Sequence, residues 1–127
     1  MTKENKELLL KDLCARVPYN IKAFYYAEEE KRETWDEINA VHIPGYVDIG
    51  QYILPIEYIK PYLFPLSSIT DEQKIFLRQQ NWCIAISTSG TVETTIEGID
   101  WLNKNHFDYR GLIEKGLAID ATGLNIY

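Results

Sequence analysis

The segment IDWLNKNHFDYRGLIEKGLAID, residues 99–120, is the part of the chain around which the rest of the fold is expected to organise. It contains HFDYR (residues 106–110), the one place where His, Asp, Tyr and Arg occur within five residues. Such a concentration of polar and aromatic side chains indicates either a functional site or a closely packed junction between elements.

A functional interpretation gives each polar residue of this cluster a chemical role. His106 would act as a general acid or base, Asp108 would orient it, and Arg110 would bind an anion. Side chains with these roles would converge in a concave pocket. The candidate binding residues are then Trp101, His106, Asp108, Tyr109 and Arg110.

A structural interpretation explains the same residues by packing. Asp108 would cap a helical turn over residues 109–115 by accepting hydrogen bonds from backbone N–H groups. Gly116 would end that turn in the left-handed conformation, and Arg110 would pair with a carboxylate. The apolar neighbours would be buried: Trp101, Leu102 and Phe107. Because a capping residue and glycines surround the cluster, the sequence favours this structural interpretation.

Outward from this segment, residues 3–16 show the clearest helical pattern in the chain. Thr2 is a suitable N-cap, and Pro18 ends the helix because it disfavours the α conformation at the preceding residue. Asn20 then suits a left-handed turn. One face of the helix combines leucines with two charged residues: Leu8, Leu9, Asp12, Leu13 and Arg16.

A meander of three antiparallel strands is expected next. Residues 21–27 form the first strand, and the charged residues 28–33 form a solvated hairpin tip. Residues 34–43 fit either a helix or a strand. A strand is favoured, because a helix here would lack a good cap and would meet Pro44 at once.

The third strand covers residues 46–53 and follows a Pro-Gly turn signal at residues 44–45. Residues 55–63 predict a short helix that begins with Pro55 and is ended or kinked by Pro61.

Thr70 and Gln73 form a capping-box pattern for a middle helix that reaches about residue 80 and buries Ile75 and Phe76. Residues 82–87, WCIAIS, predict a short buried strand. Residues 91–96 either pair with that strand as a hairpin or begin the last helix.

Length and charge bound the class of protein. A chain of 127 residues with a net charge of −6 is one domain, and its basic residues are too scattered to neutralise a phosphate backbone. Direct nucleic-acid binding is therefore disfavoured. No signal peptide or membrane span is expected, which predicts a cytoplasmic protein. A tyrosine-rich sheet edge would also allow a homodimer.

The usual catalytic and cofactor motifs are missing from the sequence. It contains no phosphate-binding glycine loop, no nucleophile elbow and no zinc-ligand spacing, so no cofactor or metal is expected. Cys14 and Cys83 are expected to be free thiols, although a disulfide between them is compatible with the sequence.

Three blocks of the chain carry a resemblance. ELLLKDLCARVPY (residues 7–19), IKPYLFPLSSITDEQ (residues 59–73) and WLNKNHFDYRGLIEKGLAI (residues 101–119) resemble a family of short uncharacterised proteins. That family occurs in gut anaerobes of the Bacteroides type and in their phages and prophages. The resemblance implies a phage-like or mobile-element accessory protein, and it implies no catalytic residues. Asn20 stands where the family pattern has glycine.

The sequence therefore predicts a small single α+β domain, with an antiparallel sheet of about four or five strands and N-terminal, middle and C-terminal helices. The favoured function is a non-enzymatic module that binds another protein through aromatic and acidic side chains. One alternative is a small enzyme that uses His106, Asp108 and Arg110. A second is an accessory protein of a nucleic-acid-processing complex, with a basic stripe of Lys22, Lys60, Arg78 and Arg110.

Overall fold

The computed structural model describes residues 1–82, 84–87 and 92–127, and it is a small α+β domain. Its helices are α1 (Lys3–Arg16), α2 (Asp71–Gln79) and α3 (Ile96–Lys104). Its strands are β1 (Lys22–Ala27), β2 (Arg32–His42), β3 (Tyr46–Ile49), β4 (Tyr52–Pro55), β5 (Lys60–Pro65), β6 (Ala85–Ile86), β7 (Val92–Glu93), β8 (Phe107–Asp108) and β9 (Ile119–Asp120). The predicted fold class is therefore confirmed.

Helix α1 has the predicted bounds and the predicted cap. The Thr2 hydroxyl accepts a hydrogen bond from the Asn5 backbone N–H at 3.1 Å. After α1, a short 3-10 turn covers Val17–Tyr19, and Asn20 adopts the expected left-handed conformation with φ of 60°. This left-handed turn brings the chain directly into β1.

The main sheet has seven strands within the described residues, slightly more than the predicted four or five. Its order is β4-β3-β2-β1-β5-β8, and β9 also pairs with β5. Strands β1 to β5 pair antiparallel as expected. The two-residue strands β8 and β9 instead run parallel to β5. The sheet is therefore mixed, because residues 107–108 and 119–120 add to its far edge.

One face of the sheet forms the core against α1. Leu9 and Leu13 of α1 are fully buried among side chains that alternate along β1, β2 and β3. The apolar residues of this core include Ala23, Tyr25, Ile38, Val47, Ile49 and Leu63. Residue 112 and residues 117–118 join the same cluster, so the segment quoted first closes the core.

The other face of β1 and β2 meets solvent. Directly opposed residues there are Lys22 with Glu37, Phe24 with Trp35, and Tyr26 with Glu33, and Lys60 of β5 lies opposite Phe24. We call these seven residues the open face. Trp35 in its middle row is 44% exposed and Tyr26 in an end row is 45% exposed, so two large aromatic side chains reach solvent on this face.

The prediction of one strand over residues 46–53 was wrong. A tight turn divides this stretch into β3 and β4, which form a hairpin. Gly50 at the turn has φ of +56°, a conformation that glycine adopts without strain. The preceding strand, residues 34–43, is confirmed as part of β2, and residues 28–31 form the exposed turn between β1 and β2.

The predicted helix over residues 55–63 was also wrong. Only a 3-10 turn, Ile56–Tyr58, forms there, and Pro61 lies inside β5 instead of ending a helix. Ile56 and Ile59 are both buried at the helical spacing of three residues, which fits the 3-10 turn, whereas residues 61–63 are buried consecutively within β5.

Helix α2 carries the predicted capping box, with Thr70 and Gln73 bonded reciprocally at 2.9 and 3.1 Å. The prediction that it buries Ile75 and Phe76 was wrong. These side chains are 52% and 41% exposed, and Leu77 is the buried residue. The helical face that turns inward is thus shifted by one or two positions.

The stretch predicted as a buried strand is only partly described. Ala85–Ile86 pairs antiparallel with Val92–Glu93, and Ala85 is exposed instead of buried. Cys83 and residues 88–91 lie outside the described residues. The predicted free thiol at Cys83 and the alternative disulfide with Cys14 therefore lie outside them as well. For residues 91–96 the sequence left open a hairpin strand or the start of the last helix. Residues 92–93 form the hairpin strand, and α3 begins at residue 96, so each alternative is correct for part of the stretch.

Among the residues that the structure describes, none of the helices combines the length and apolar character that a membrane crossing requires.

Candidate functional site

A buried charge network links α1 to the cluster at residues 106–110. Asp12 and Arg16 are both fully buried, and Arg16 Nε donates to Asp12 Oδ2 at 2.8 Å. Arg110 Nη1 donates to the other oxygen, Oδ1, at 2.8 Å. One carboxylate therefore serves two guanidinium groups, which leaves this group of three side chains with one excess positive charge.

Arg16 also anchors β8. Its Nη2 donates to the backbone oxygen of Phe107 at 2.7 Å. Its Nη1 is buried and has no hydrogen-bond partner among the described residues. Burying a polar group without a partner costs free energy. The hydrogen-bonding capacity of Arg16 is therefore only partly satisfied by the described residues.

Tyr109 lies against both guanidinium groups. The Arg16 Cζ is 5.2 Å and the Arg110 Cζ is 4.6 Å from its ring centroid, distances at which the ring's negative face attracts a cation. The Tyr109 hydroxyl donates to Asn103 Oδ1 at 2.9 Å. The ring therefore holds the two arginines and α3 together.

Asp108 caps the turn that follows it, as the structural interpretation predicts, but this turn covers residues 112–116 and is not the predicted helical turn over residues 109–115. Its Oδ1 accepts from the Leu112 N–H at 3.0 Å, and its Oδ2 accepts from the Ile113 N–H at 2.9 Å. Gly116 closes the turn with φ of +73°. Within the described part of the chain Asp108 makes no hydrogen bond to His106, so the pairing that the catalytic interpretation requires does not form.

His106 occupies an unusual backbone position just after α3. Its φ is 63°, and its N–H donates to the Asn103 oxygen at 3.1 Å. Left-handed φ at a helix end is usually taken by glycine, because other residues adopt it at a cost. Histidine is one of the residue types that adopt this conformation more readily than most, and here it directs the imidazole ring onto Tyr127.

The His106 ring is buried and neutral at pH 7. Burial, together with the positive charges of Arg16 and Lys22, lowers its pKa to about 4. The ring stacks on Tyr127 with centroids 3.7 Å apart and planes 12° apart. Its Nδ1 has no hydrogen-bond partner among the described residues.

A cleft of about 660 Å³ opens beside this stack. It lies where the α1–β1 turn approaches the end of α3, and two lysines and one glutamate contribute its charge. Its lining residues are Pro18, Tyr19, Asn20, Lys22, Glu37, Lys104, His106 and Tyr127.

The structure brings four of the five predicted binding residues into one neighbourhood but gives them different tasks. Asp108 and Arg110 are engaged within the fold, and Tyr109 lies between the arginines. His106 lines the cleft. Trp101 stacks on Phe107 with centroids 5.4 Å apart, so it packs the outer side of β8 and takes no part in the charge network.

Sequence reasoning assigned no site role to Asp12, Arg16 or Tyr127, and it named Lys22 only as part of a basic stripe. For the first two a signal existed, since both lie on the leucine face of α1, where a charge must find a buried partner. For Lys22 and Tyr127 no local pattern existed, because they are 105 positions apart and come together only in the folded chain.

Among the described residues, no three His, Cys, Asp or Glu side chains lie close enough together to hold a metal ion. Cys14 is an exposed free thiol near the end of α1. Comparison of the chain with protein-family models, with curated proteins and with solved structures finds no match.

Proposed function

We propose that this protein is a non-enzymatic module that binds another protein through the open face of its sheet. The observation that carries the proposal is the pair of exposed aromatics on that face, Trp35 in its middle row and Tyr26 in an end row. Trp and Tyr are the residue types most enriched among those that dominate binding energy at protein interfaces.

The arrangement on the strands gives the face a defined pattern. Glu33, Trp35 and Glu37 alternate along β2 on the same side of the sheet, so an aromatic anchor lies between two carboxylates. On the neighbouring strand Phe24 lies directly opposite Trp35 and extends the apolar centre. An apolar centre with a charged rim is the usual anatomy of a protein interface.

Charge indicates the chemistry of the partner. The open face itself carries two glutamates, Glu33 and Glu37, and two lysines, Lys22 and Lys60, so its own charges balance, whereas the chain has a net charge of −6. The adjoining turn at residues 28–30 adds three exposed glutamates. We therefore assign as partner a protein segment with apolar anchors flanked by Lys or Arg, because complementary charge speeds encounter and selects against acidic competitors.

The two alternative functions receive less support from the geometry. The enzyme alternative needs a free Asp108 beside His106, whereas both oxygens of Asp108 accept backbone N–H groups. The nucleic-acid alternative needs a basic stripe. Only Lys22 and Lys60 share the open face, and Arg110 is paired with Asp12.

The biological setting is part of the same proposal. We place the protein in the cytoplasm, where reducing conditions would keep the exposed Cys14 thiol free. The origin in a phage or mobile element rests on the resemblance of the three sequence blocks alone.

The test compares three baits in extracts of a Bacteroides-type host: wild type, Trp35→Ala, and Phe76→Ala. Phe76 is the control because it is a 41% exposed aromatic residue of α2 that packs edge-on against Trp82 and is not part of the open face. We expect wild type and Phe76→Ala to retain one stoichiometric partner that Trp35→Ala loses. Hydroxyl-radical footprinting of the purified complex should then show protection of Tyr26 and Trp35.

Two results would overturn the proposal. One is protection that falls on residues 106–110 or on α2 while Tyr26 and Trp35 stay reactive. The other is a dimer mass for the isolated protein by light scattering that Trp35→Ala reduces to a monomer mass, since the open face would then bind a second copy of the chain.

A further inference from the structure

Strands β1 and β5 pair over only two positions before they separate. Ala23 lies opposite Pro61, so the register places Lys22 opposite Tyr62 at the next position. Between these two residues lies the hydroxyl of Tyr127. It accepts from the Lys22 backbone N–H at 2.9 Å and donates to the Tyr62 backbone oxygen at 2.9 Å, with the Lys22 oxygen at 3.4 Å as a longer alternative acceptor. The hydroxyl thus replaces one rung of the ladder.

This gap selects for a particular chemical group. It presents one backbone donor and one backbone acceptor on opposite sides, so the group between them must accept and donate at the same time. A hydroxyl does both through one atom, whereas a carboxylate only accepts and an ammonium only donates. The gap is therefore matched to an oxygen that both accepts and donates, as in water, an alcohol or a phenol.

The surroundings of the Tyr127 side chain favour an aromatic ring as the group that carries this hydroxyl. His106 stacks on it at 3.7 Å, and Phe64 lies at a centroid distance of 5.9 Å. The Lys22 Nζ lies 5.5 Å from the ring centroid and also donates to the Ile126 oxygen at 2.8 Å. We call the gap together with His106, Phe64 and Lys22 the phenol slot.

Two features distinguish this slot from ordinary packing. His106 holds its stacking position through a left-handed backbone that glycine would adopt at lower cost, and its Nδ1 remains buried without a partner among the described residues. Tyr127 itself is 40% exposed, and the 660 Å³ cleft lined by His106 and Tyr127 continues beside it. A ligand therefore reaches the slot without unfolding the core.

We infer that the phenol slot is a binding site for a phenol ring, and that Tyr127 occupies it in this structure as a ligand from the same chain. A phenolic ligand binds by displacing the Tyr127 side chain, takes its stack on His106 and completes the interrupted rung between β1 and β5. The inference stands apart from the proposed protein-binding function, because it needs no partner protein.

The test uses p-cresol, the side-chain analogue of tyrosine, with wild type, Tyr127→Ala and Tyr127→Phe. In the Ala variant the slot is free, so p-cresol tenfold above its Kd should raise Tm by about 5 °C. Wild type should shift by less than a fifth of that amount. Toluene, which lacks the hydroxyl, should shift the Ala variant less than p-cresol does. The Phe variant keeps a ring in the slot but lacks the hydroxyl, so its Tm shift should lie between those of wild type and the Ala variant.

N-acetyl-tyrosinamide tests the source of the ligand. Binding as tight as that of p-cresol supports a slot that accepts tyrosine from a polypeptide, whereas binding of p-cresol alone supports a slot for small phenols. If Tyr127→Ala is unfolded at 25 °C, p-cresol should restore its folded near-UV circular dichroism. The inference is overturned if p-cresol neither shifts nor refolds the Ala variant, if toluene acts equally, or if wild type shifts as much.

Discussion

Arg110 Nη1 donates to Asp12 Oδ1 at 2.8 Å and so joins two residues that are 98 positions apart in the chain. The same carboxylate receives Arg16 from within α1. Breaking a buried ion pair by removing one partner leaves a buried charge without compensation, which is strongly destabilising. The contact therefore fixes the segment after α3 onto the N-terminal helix.

Asp12→Asn should lower the free energy of unfolding by about 3–5 kcal/mol, because Arg16 then stays buried without its counter-charge. Urea denaturation followed by circular dichroism measures this change. Glu7→Gln is the matched control, because Glu7 forms an exposed pair with Lys3 on the same helix. A loss in Asp12→Asn no larger than that in the control would contradict the role of the network.

Asp108→Ala should cost about 1–2 kcal/mol of stability, because two backbone N–H groups lose their acceptor. Asp108→Asn keeps one amide oxygen and should cost about 1 kcal/mol. Asp100→Asn, at an exposed position of α3, is the control for the change in charge. Equal stability of Asp108→Ala and the control would show that Asp108 is not a cap.

The low pKa of His106 makes stability depend on pH in a defined direction. Its pKa is about 4 in the folded protein and near 6.5 in the unfolded chain, so the unfolded chain binds more protons between those values. The contribution of His106 to stability is therefore complete above pH 6.5 and is lost as pH falls from 6.5 towards 4.

His106→Asn tests this directly, because asparagine tolerates the left-handed backbone and does not titrate. Urea denaturation between pH 4 and pH 8 should show a shallower decline in the variant than in wild type. His42→Asn changes the exposed histidine beside Asp48 and should leave the steeper decline between pH 6.5 and pH 4 in place. Parallel pH curves for wild type and His106→Asn would contradict the assigned burial.

The β3–β4 hairpin depends on Gly50. A Cβ at this position would lie 2.9 Å from the Tyr25 hydroxyl and 3.0 Å from Asp36 Oδ2, and its φ is +56°. Gly50→Ala should destabilise the domain by about 1–2 kcal/mol from backbone strain, with crowding in addition. Gly123→Ala has a similar φ of +77° with no atom within 4 Å, so it isolates the backbone strain. If Gly50→Ala and Gly123→Ala lose the same free energy of unfolding in thermal or urea denaturation, crowding at Gly50 has no effect.

Local signals in the sequence predicted the parts of the fold that local chemistry decides. The N-cap at Thr2, the left-handed Asn20 and the capping box at Thr70 each depend on residues within one turn of the chain. The same holds for Asp108, whose partners lie four and five positions ahead. These assignments are all confirmed.

The errors occurred where tertiary contacts decide. Proline at positions 55 and 61 suggested a helix, yet pairing with β1 places residues 60–65 in the sheet. The apolar side chains of α2 at Ile75 and Phe76 stay exposed because only one side of that short helix meets the domain. The parallel strands β8 and β9 are two residues long, too short for any periodic signal.

The candidate site divides in the same way. Sequence identified the cluster at residues 106–110 and anticipated that Arg110 would pair with a carboxylate. It did not identify Asp12 as that carboxylate or Tyr127 as the ring on His106, because both contacts join segments that meet only in the folded chain.

The measurement that tests the central claim most directly compares Trp35→Ala with Asp108→Asn for retention of the stoichiometric partner captured from the host. Both variants should remain folded at 25 °C, which circular dichroism verifies. The account predicts that Trp35→Ala loses the partner and that Asp108→Asn retains it, since binding lies on the open face and residues 106–110 hold the fold together. Loss of the partner in folded Asp108→Asn, with retention in Trp35→Ala, would contradict the account.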